Sequence, residues 1–437
     1  MGASNFLRKL IGGGGRSGID RRTEDLLSLC SALLAESGEY TSTALARDAL
    51  AAYQALDERT RAEFFDVLAR DYGVPVQLVS RAAASYQADP SAENLMRLQQ
   101  AVDSPRQEFF RRLNMAPGGT AALVDMRREV LKGVRAHPEW KLIDTDLLHL
   151  LRSWFNRGFL RLERIDWHTS AMVLEKLIQY EAVHAIQGWR DLRRRLEADR
   201  RCFAFFHPQL PDEPIIFIEV ALTHGMSAQV QPLIDIRSPV GDAAEADCAM
   251  FYSITNCQEG LRGISFGNQL IKQVAEDLKR EFPHLRRFAT LSPIPGFRRW
   301  LESAPLEGED KALIARLEDP AWHLGEIPEA LEKLLMRLCA YYLLKAKHGV
   351  EPLEPVARFH LGNGAALERL NWMGDSSESG MQRSAGMMVN YVYWLDEVEK
   401  NHERYFRDHE IVASPAVERL AKECPLAAAK PAAQKPA

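Results

Sequence analysis

The sequence predicts an α+β fold, in which an all-helical N-terminal domain is followed by a mixed α/β domain with a helical insertion. Up to about residue 155 the apolar residues recur at helical spacing, whereas short apolar runs bounded by turn residues begin at Cys202. The clearest of these runs, residues 249–254, leads into a glycine-containing turn, an amphipathic helix and a second strand at residues 287–291. With 437 residues, the chain is long enough for two domains.

Residues 20–155 are predicted to form the helical domain. Ser104, followed by Pro105 and Gln107, is a helix start with serine as the N-cap and glutamine in the capping-box position. The domain has apolar stripes but no cluster of histidine, cysteine or carboxylate groups at ligand spacing. It is therefore interpreted as a homo-oligomerisation domain that forms a dimer or tetramer. Residues 1–19 are basic and glycine-rich, and they are predicted to be flexible.

The second domain is predicted to span residues 156–420, with residues 150–196 as a helical, aromatic-rich bridge into it. The predicted elements that follow are strands at 202–206, 215–222, 249–254 and 287–291, a helix at 266–281, the helical insertion at 297–349, strands at 356–361 and 367–372, and a helix at 384–406. Residues 421–437 are rich in alanine, proline and lysine, and are predicted to be a disordered tail.

Composition excludes several classes of function. The net charge of −5 gives no basic field for nucleic acid, and no apolar run approaches the roughly 20 residues that span a membrane. The six cysteines lack Cys-x-x-Cys spacing, which favours reduced thiols and no metal site. The predicted location is the cytoplasm, with the mitochondrial matrix as the alternative because the N-terminus is basic.

The strand, turn, helix and strand of residues 249–291 form an architecture that binds phosphate, since turn N–H groups and a helix N-terminus point at an anion. The turn matches neither the P-loop nor the dinucleotide fingerprint. It resembles the Arg-x-x-Gly-x-Gly turn that holds the coenzyme A pyrophosphate in the acetyltransferase (GNAT) superfamily, with Ser265 in place of the first glycine. The candidate binding residues are Arg262, Gly263, Ile264, Ser265, Phe266, Gly267 and Asn268. A strand-to-helix turn without a ligand is the alternative.

Three residues are candidates for chemistry. Ser292 lies at a predicted strand end before Pro293, where a turn or helix cap is the alternative role. His360 ends a predicted strand before a glycine-rich turn, where a lone histidine is more often structural than catalytic. Tyr393 has no distinguishing feature by itself. The sequence contains no second histidine at metal-ligand spacing and no Gly-x-Ser-x-Gly elbow of an α/β-hydrolase.

Four segments, in order, resemble the malonyl-CoA decarboxylase family: FYSIT…QEGLRGISFGNQLIK, REFPHLRRFATLSPIPGF, ARFHLGNGA and RLNWMGD…SAGMMVNYVYWLDE. The resemblance covers most of residues 202–397. It implies a catalytic domain of GNAT-like fold, malonyl-CoA as the substrate, and no metal or organic cofactor. It also implies a phosphate loop at residues 262–268, a catalytic serine at Ser292, a catalytic histidine at His360 and an active-site tyrosine at Tyr393. Some relatives carry glutamate where this chain has Ser265, so no role is carried over for that position.

The implied activity is that of a carboxy-lyase, which converts malonyl-CoA to acetyl-CoA and CO2 in fatty-acid and malonate metabolism. Loss of CO2 leaves a thioester enolate, for which Ser292 is a suitable hydrogen-bond donor. An imidazole with a pKa near neutrality suits protonation of the α-carbon, which assigns His360 to that step. Two alternatives remain, namely an acyl-CoA-dependent N-acyltransferase, which would share the phosphate turn, and a non-catalytic CoA-binding scaffold with the helical half as its interaction module.

Overall fold

The computed structural model describes residues 19–36, 38–264, 266 and 270–427. The chain divides into two compact units: the first comprises Met1–Leu160, Phe206–Glu213 and Gln258–Phe266, and the second comprises Arg161–Phe205, Pro214–Cys257 and Gly267–Ala437. Three short segments that the sequence analysis assigns to the mixed domain, residues 156–160, 206–213 and 258–266, thus group with the helical unit. Residues 1–18 of the N-terminus predicted to be flexible lie outside the described residues.

The first unit is helical, as predicted. Its helices are α1 (Arg21–Ala35), α2 (Glu39–Gln54), α3 (Glu58–Asp71), α4 (Val76–Ala88), α5 (Ala92–Val102), α6 (Pro105–Leu113), α7 (Gly119–Gly133) and α8 (Lys141–Trp154). Ser104 caps α6, since its Oγ accepts the N–H of Gln107 at 3.1 Å, and Pro105 occupies the first turn. Across the described ranges, no helix has both the length and the apolar character that a membrane crossing requires.

The second unit is built on a mixed sheet. Its strands are β1 (Arg161–Ile165), β2 (Arg200–His207), β3 (Leu210–Thr223), β4 (Cys248–Asn256), β5 (Arg287–Thr290), β6 (Ser292–Pro293), β9 (Ala366–Asn371) and β10 (Met388–Val392). The order is β1-β2-β3-β4-β5-β10-β6, and β9 pairs with β10. A separate two-stranded ladder joins β7 (Lys347–His348) to β8 (Glu351–Pro352).

Helices connect these strands, and those between β6 and β7 correspond to the predicted helical insertion. They are α9 (Ala171–Tyr180), α10 (Trp189–Arg195), α11 (Gln231–Ile234), α12 (Leu270–Glu281), α13 (Phe297–Ser303), α14 (Gly308–Ala315), α15 (Glu329–Lys345), α16 (Pro355–Gly362), α17 (Glu378–Ser384), α18 (Val398–Asp408) and α19 (Pro415–Lys422).

The parallel pair β4 and β5 is the feature that creates space in the sheet. The two strands pair only from Cys248 and Arg287 as far as Phe251 and Thr290. Beyond that point β4 continues to Asn256. The segment that follows β5 leaves β4 and forms β6, which pairs with β10. Residues at the end of β4 therefore lose their neighbour on this side, and the sheet opens there.

The segment that carries His360 is a helix, not the strand that the sequence analysis predicts. Helix α16 begins after Glu354, whose side chain accepts the N–H of Val356 at 3.2 Å, and Pro355 lies in its first turn. Both features are helix-start signals. The apolar pattern of residues 356–361 is too short to distinguish the helical period from the strand period.

Other predicted elements also need correction. The single helix predicted at residues 384–406 is the strand β10 followed by α18, because a short, mostly apolar and entirely buried run resembles either element in sequence. Strand β1 interrupts the bridge predicted to be wholly helical at residues 150–196. Helix α12 begins at Leu270 in the described chain, not at Phe266.

Residues 421–427, which the sequence analysis assigns to a disordered tail, are folded. Helix α19 runs to Lys422, and a 3₁₀ turn follows at Pro425–Ala427. Ala421, Cys424 and Leu426 are all buried. Residues 421–427 therefore belong to the folded unit, and residues 428–437 lie outside the described residues.

Gly364 provides a test of the packing around α16. Its φ is +81°, and a Cβ there would lie 2.1 Å from the carbonyl oxygen of Val398 on α18. We expect Gly364→Ala to lower the free energy of unfolding by about 2 kcal/mol or more, because a steric clash adds to the backbone strain.

The matched control is Gly349→Ala. Gly349 also has a positive φ, +64°, but no atom lies within 4 Å of the added Cβ. Only the backbone strain should appear there, about 1 kcal/mol. Thermal unfolding of both variants makes the comparison, and equal losses would contradict the close approach at Gly364.

Candidate active site

The three residues predicted to be catalytic meet within the second unit. Ser292 begins β6 opposite Val389 of β10, His360 lies near the end of α16, and Tyr393 immediately follows β10. Their exposed fractions are 5%, 3% and 2%, respectively. The fold thus brings side chains from three separate segments into one buried cluster.

Their polar atoms form a continuous hydrogen-bonded chain. His360 Nε2 lies 2.9 Å from Ser292 Oγ, and His360 Nδ1 lies 2.8 Å from the hydroxyl oxygen of Tyr393. Ser292 Oγ also donates to Thr290 Oγ1 at 2.8 Å. Both nitrogens of the imidazole are therefore engaged, which fixes the orientation of the ring.

Two further residues of this cluster escaped the sequence analysis. The ring of Tyr391 stacks on that of His360, with centroids 4.6 Å apart and an interplanar angle of 25°. The backbone N–H of Tyr391 donates to Thr290 Oγ1 at 3.2 Å. Thr290 could have been found, because residues two apart on a strand face the same side and Ser292 follows it at that spacing. Tyr391 could not, since its strand was predicted to be a helix.

Glu354 is a third residue that the sequence analysis missed. Its buried carboxylate accepts hydrogen bonds from the Gly296 N–H at 2.9 Å and from the Tyr342 hydroxyl at 3.0 Å, in addition to capping α16. Burial raises the pKa of this carboxyl above its usual range. The helix of His360 and the loop that follows Ser292 are thereby joined through one side chain.

The site is electrically neutral in the free protein. Burial lowers the pKa of His360 to about 3, because the imidazolium would lose its hydration. Burial also raises the pKa of Tyr393 well above its usual range. At neutral pH the histidine is therefore uncharged, which differs from the expectation of a pKa near neutrality.

A cavity of about 250 Å³ lies where β4 and β5 separate. The residues that line it are Val183, Phe251, Tyr252, Ser253, Ile254, Asn256, Leu291, Ser292, Pro293, Pro355, Val356, Phe359 and His360. Whole-ligand pockets usually measure ~300–1,000 Å³. The size therefore fits the reactive end of a longer molecule, and the polar groups of Ser292 and His360 lie in its wall.

The predicted phosphate turn is described only in part. Arg262 and Gly263 are exposed, whereas the side chains of Ile264 and Phe266 are buried. The buried pair contributes to packing, so only backbone groups could serve a ligand at those two positions. The other three predicted binding residues, Ser265, Gly267 and Asn268, lie outside the described residues.

One group in the described ranges places three potential metal-ligand atoms close together. It consists of Asp66, His137 and Glu139 in the helical unit. Its members are partly or largely exposed, and none belongs to the cluster around His360.

The low pKa of His360 predicts how stability depends on pH. In the unfolded chain a histidine has a pKa of about 6.5, so between pH 6.5 and 3 the unfolded state binds a proton that the folded state does not. The folded state thus loses stability as the pH falls through this window. Between pH 7 and pH 5, we expect the unfolding free energy of the wild type to fall by about 2 kcal/mol more than that of His360→Asn.

Urea unfolding at the two pH values measures this difference. The control is His348→Asn, which removes an exposed histidine and should keep the wild-type pH dependence. The same loss in wild type and His360→Asn would show that the imidazole titrates normally in the folded protein.

Comparisons with known proteins cover most of the chain. The family profile described as Malonyl-CoA decarboxylase C-terminal domain matches residues 158–432, and the profile for the N-terminal domain of that family matches residues 72–155. The mitochondrial malonyl-CoA decarboxylase of Anser anser anser is 38% identical over 397 residues, which are 82% of this chain and 79% of that protein. The enzyme of the same name from Rattus norvegicus is 36% identical over 82% of this chain and 81% of its own length.

Solved structures agree with these matches. A crystal structure of malonyl-CoA decarboxylase from Rhodopseudomonas palustris superposes with a TM-score of 0.88 at 48% identity, covering 91% of this chain and 99% of that one. The structure from Agrobacterium vitis gives a TM-score of 0.85 at 46% identity, with the same coverage. The sequence profiles, the curated relatives and the shared fold lead to one conclusion: this chain belongs to the malonyl-CoA decarboxylase family.

Proposed function

We propose that the chain converts malonyl-CoA to acetyl-CoA and CO2. The observation that carries the proposal is the buried chain Tyr393–His360–Ser292 in the wall of a cavity. In this reaction the bond between the α-carbon and the carboxylate breaks, and its electron pair moves into the thioester to form an enolate. The α-carbon then takes one proton, so each turnover consumes one proton from solvent.

Ser292 is assigned to the enolate oxygen. The residue is 5% exposed, and two hydrogen bonds hold its hydroxyl at a fixed position. A donor that is already oriented in a water-poor site stabilises developing charge without reorganisation. Because the negative charge on the thioester oxygen grows as CO2 leaves, this hydrogen bond is stronger in the transition state than in the bound substrate.

His360 is assigned to protonation of the α-carbon. The ring is neutral in the free site, since burial keeps its pKa at about 3. The carboxylate of a bound malonyl group would be a negative charge close to the ring, and it would raise that pKa by favouring the imidazolium. The site thus acquires its acid when the substrate binds. Tyr393 contacts the other ring nitrogen and holds the ring in place.

The pyrophosphate of the substrate is assigned to the turn at residues 262–268. Support comes from its sequence pattern and from the strand–helix–strand unit of β4, α12 and β5, whose strands are parallel. The exposed guanidinium of Arg262 can pair with phosphate oxygens, and backbone N–H groups would complete the contact.

Assembly and location also stay predictions. Homo-oligomerisation through the helical unit is supported by exposed apolar side chains on α4 and α5, which are Val76, Leu78, Leu95 and Met96. Such exposed groups are typical of surfaces that bind another protein. The cytoplasm, with the mitochondrial matrix as the alternative, remains the predicted location.

The assignment of Arg262 predicts a substrate-dependent loss. We expect Arg262→Glu to raise the KM for malonyl-CoA by about tenfold or more, because an attractive charge becomes repulsive. Malonyl-pantetheine lacks the pyrophosphate, so its kcat/KM should not change. Arg237→Glu, which reverses another exposed charge, is the control. Equal effects on the two thioesters would place the pyrophosphate elsewhere.

The catalytic assignment predicts losses in kcat. With malonyl-CoA as the substrate, we expect His360→Asn and Ser292→Ala each to lower kcat by ~10²–10⁴-fold with little change in KM. The double variant should be little worse than the poorer single variant, since residues that serve one step are not additive. The controls are His348→Asn and Ser303→Ala, both at exposed positions.

The same assay separates the alternatives, if CO2, acetyl-CoA and free CoA are followed with malonyl-CoA alone. Equal amounts of CO2 and acetyl-CoA support the decarboxylase. Free CoA that forms only after an amine is added would identify an N-acyltransferase, and binding without turnover would identify a scaffold. Full activity in either single variant would refute the roles given to Ser292 and His360.

A further inference from the structure

Thr290 has no catalytic role in the mechanism above, yet its hydroxyl and its carbonyl oxygen are both hydrogen-bonded next to the site. It is completely buried. Its Oγ1 accepts the Tyr391 N–H at 3.2 Å and the Ser292 hydroxyl at 2.8 Å, while its carbonyl oxygen accepts the Asn390 side-chain amide at 2.7 Å. Both the backbone and the side chain of Thr290 are thus held by β10.

Counting protons shows what this contact does to the cluster. A serine hydroxyl has one proton, and here it is directed to Thr290. Ser292 Oγ must therefore be the acceptor in its contact with His360 Nε2, which makes Nε2 the protonated nitrogen. A neutral imidazole carries one N–H, so Nδ1 is left as an acceptor and the Tyr393 hydroxyl donates to it.

We propose that Thr290 is a positioning residue that sets the direction of this hydrogen-bonded chain and so places the proton of His360 on Nε2. The proposal rests on the proposed function for its catalytic meaning. The donors then run in one direction, from Tyr393 through His360 to Ser292. Each donor polarises the next, which makes the last hydroxyl a better donor.

The direction matters because Ser292 is the end of the chain that lies in the cavity wall. When a thioester oxygen arrives, the Ser292 hydroxyl can rotate from Thr290 to that oxygen while it continues to accept from His360 Nε2. In the imidazolium that the bound carboxylate favours, Nδ1 carries the second proton and donates it to the Tyr393 hydroxyl, so the ring becomes neutral when it gives the Nε2 proton to carbon. If the chain ran the other way, the Ser292 hydroxyl would donate to an unprotonated Nε2, which is the arrangement of a nucleophilic serine. The enolate oxygen would then lose this donor.

Valine at position 290 removes the acceptor and nearly keeps the shape. The remaining polar neighbour of the Ser292 hydroxyl among these contacts is then His360 Nε2, so the chain should reverse. We expect Thr290→Val to move the histidine proton to Nδ1 and to lower kcat by about 10–100-fold, with KM within about twofold. Thr290→Ser keeps the hydroxyl and should restore the Nε2 proton and most of kcat.

The tautomer is read by NMR of protein labelled with ¹⁵N-histidine. The His360 signals are assigned by their absence in His360→Asn, since the chain has 12 histidines. The matched control is Thr255→Val, which removes another buried threonine hydroxyl, one that donates to Glu181 at 3.3 Å. It should keep the wild-type tautomer and kcat.

A wild-type His360 that carries its proton on Nδ1 would overturn the proposal even if Thr290→Val does not fold. An unchanged tautomer in Thr290→Val, or a reversed tautomer with unchanged kcat, would overturn it as well. Because the tautomer is measured in the free protein, it stands apart from the proposed reaction. A protein without decarboxylase activity but with a tautomer controlled by Thr290 would refute the function alone.

Discussion

The arrangement of the site depends on one buried carboxylate. Glu354 accepts N–H groups from Gly296 and Val356 and the hydroxyl of Tyr342. Burying a charged group is unfavourable unless hydrogen bonds replace its hydration, and three donors do so here. These donors connect the loop after Ser292 to the helix that carries His360. Ser292 and His360 are 68 residues apart in the sequence. A Cβ at Gly296 would lie 2.8 Å from the carboxylate and 2.3 Å from the Tyr342 hydroxyl, so the bond requires glycine there.

The sequence is informative where chemistry and local pattern coincide. The change from helical to strand-like spacing locates the mixed sheet, and the parallel strands β4 and β5 lie close to the predicted runs. Ser292 and His360 were found through the motifs around them, and the structure places their side chains 2.9 Å apart. The two side chains therefore lie in one cluster, although the strand predicted to carry His360 is a helix.

Local pattern fails where tertiary packing decides the outcome. β10 is read as part of a helix because all five of its residues are buried, and burial on both faces removes the alternation that identifies a strand. Tyr391 was missed for that reason. Thr290 is an ordinary strand residue in sequence, and its proposed role comes from its contacts with Ser292 and with a backbone N–H 101 residues away. No spacing rule connects Glu354 to Gly296.

The enclosure of His360 has a kinetic consequence. Phe359, Tyr391 and Tyr393 contact or approach the ring closely, and its remaining polar side belongs to the cavity wall. Under the proposed mechanism the ring is neutral in the free site and charged once the substrate is bound, so the proton is taken up from water as the substrate enters the cavity. Substrate binding and proton uptake are then coupled, and the order of events in the catalytic cycle follows from the access of solvent to a single ring.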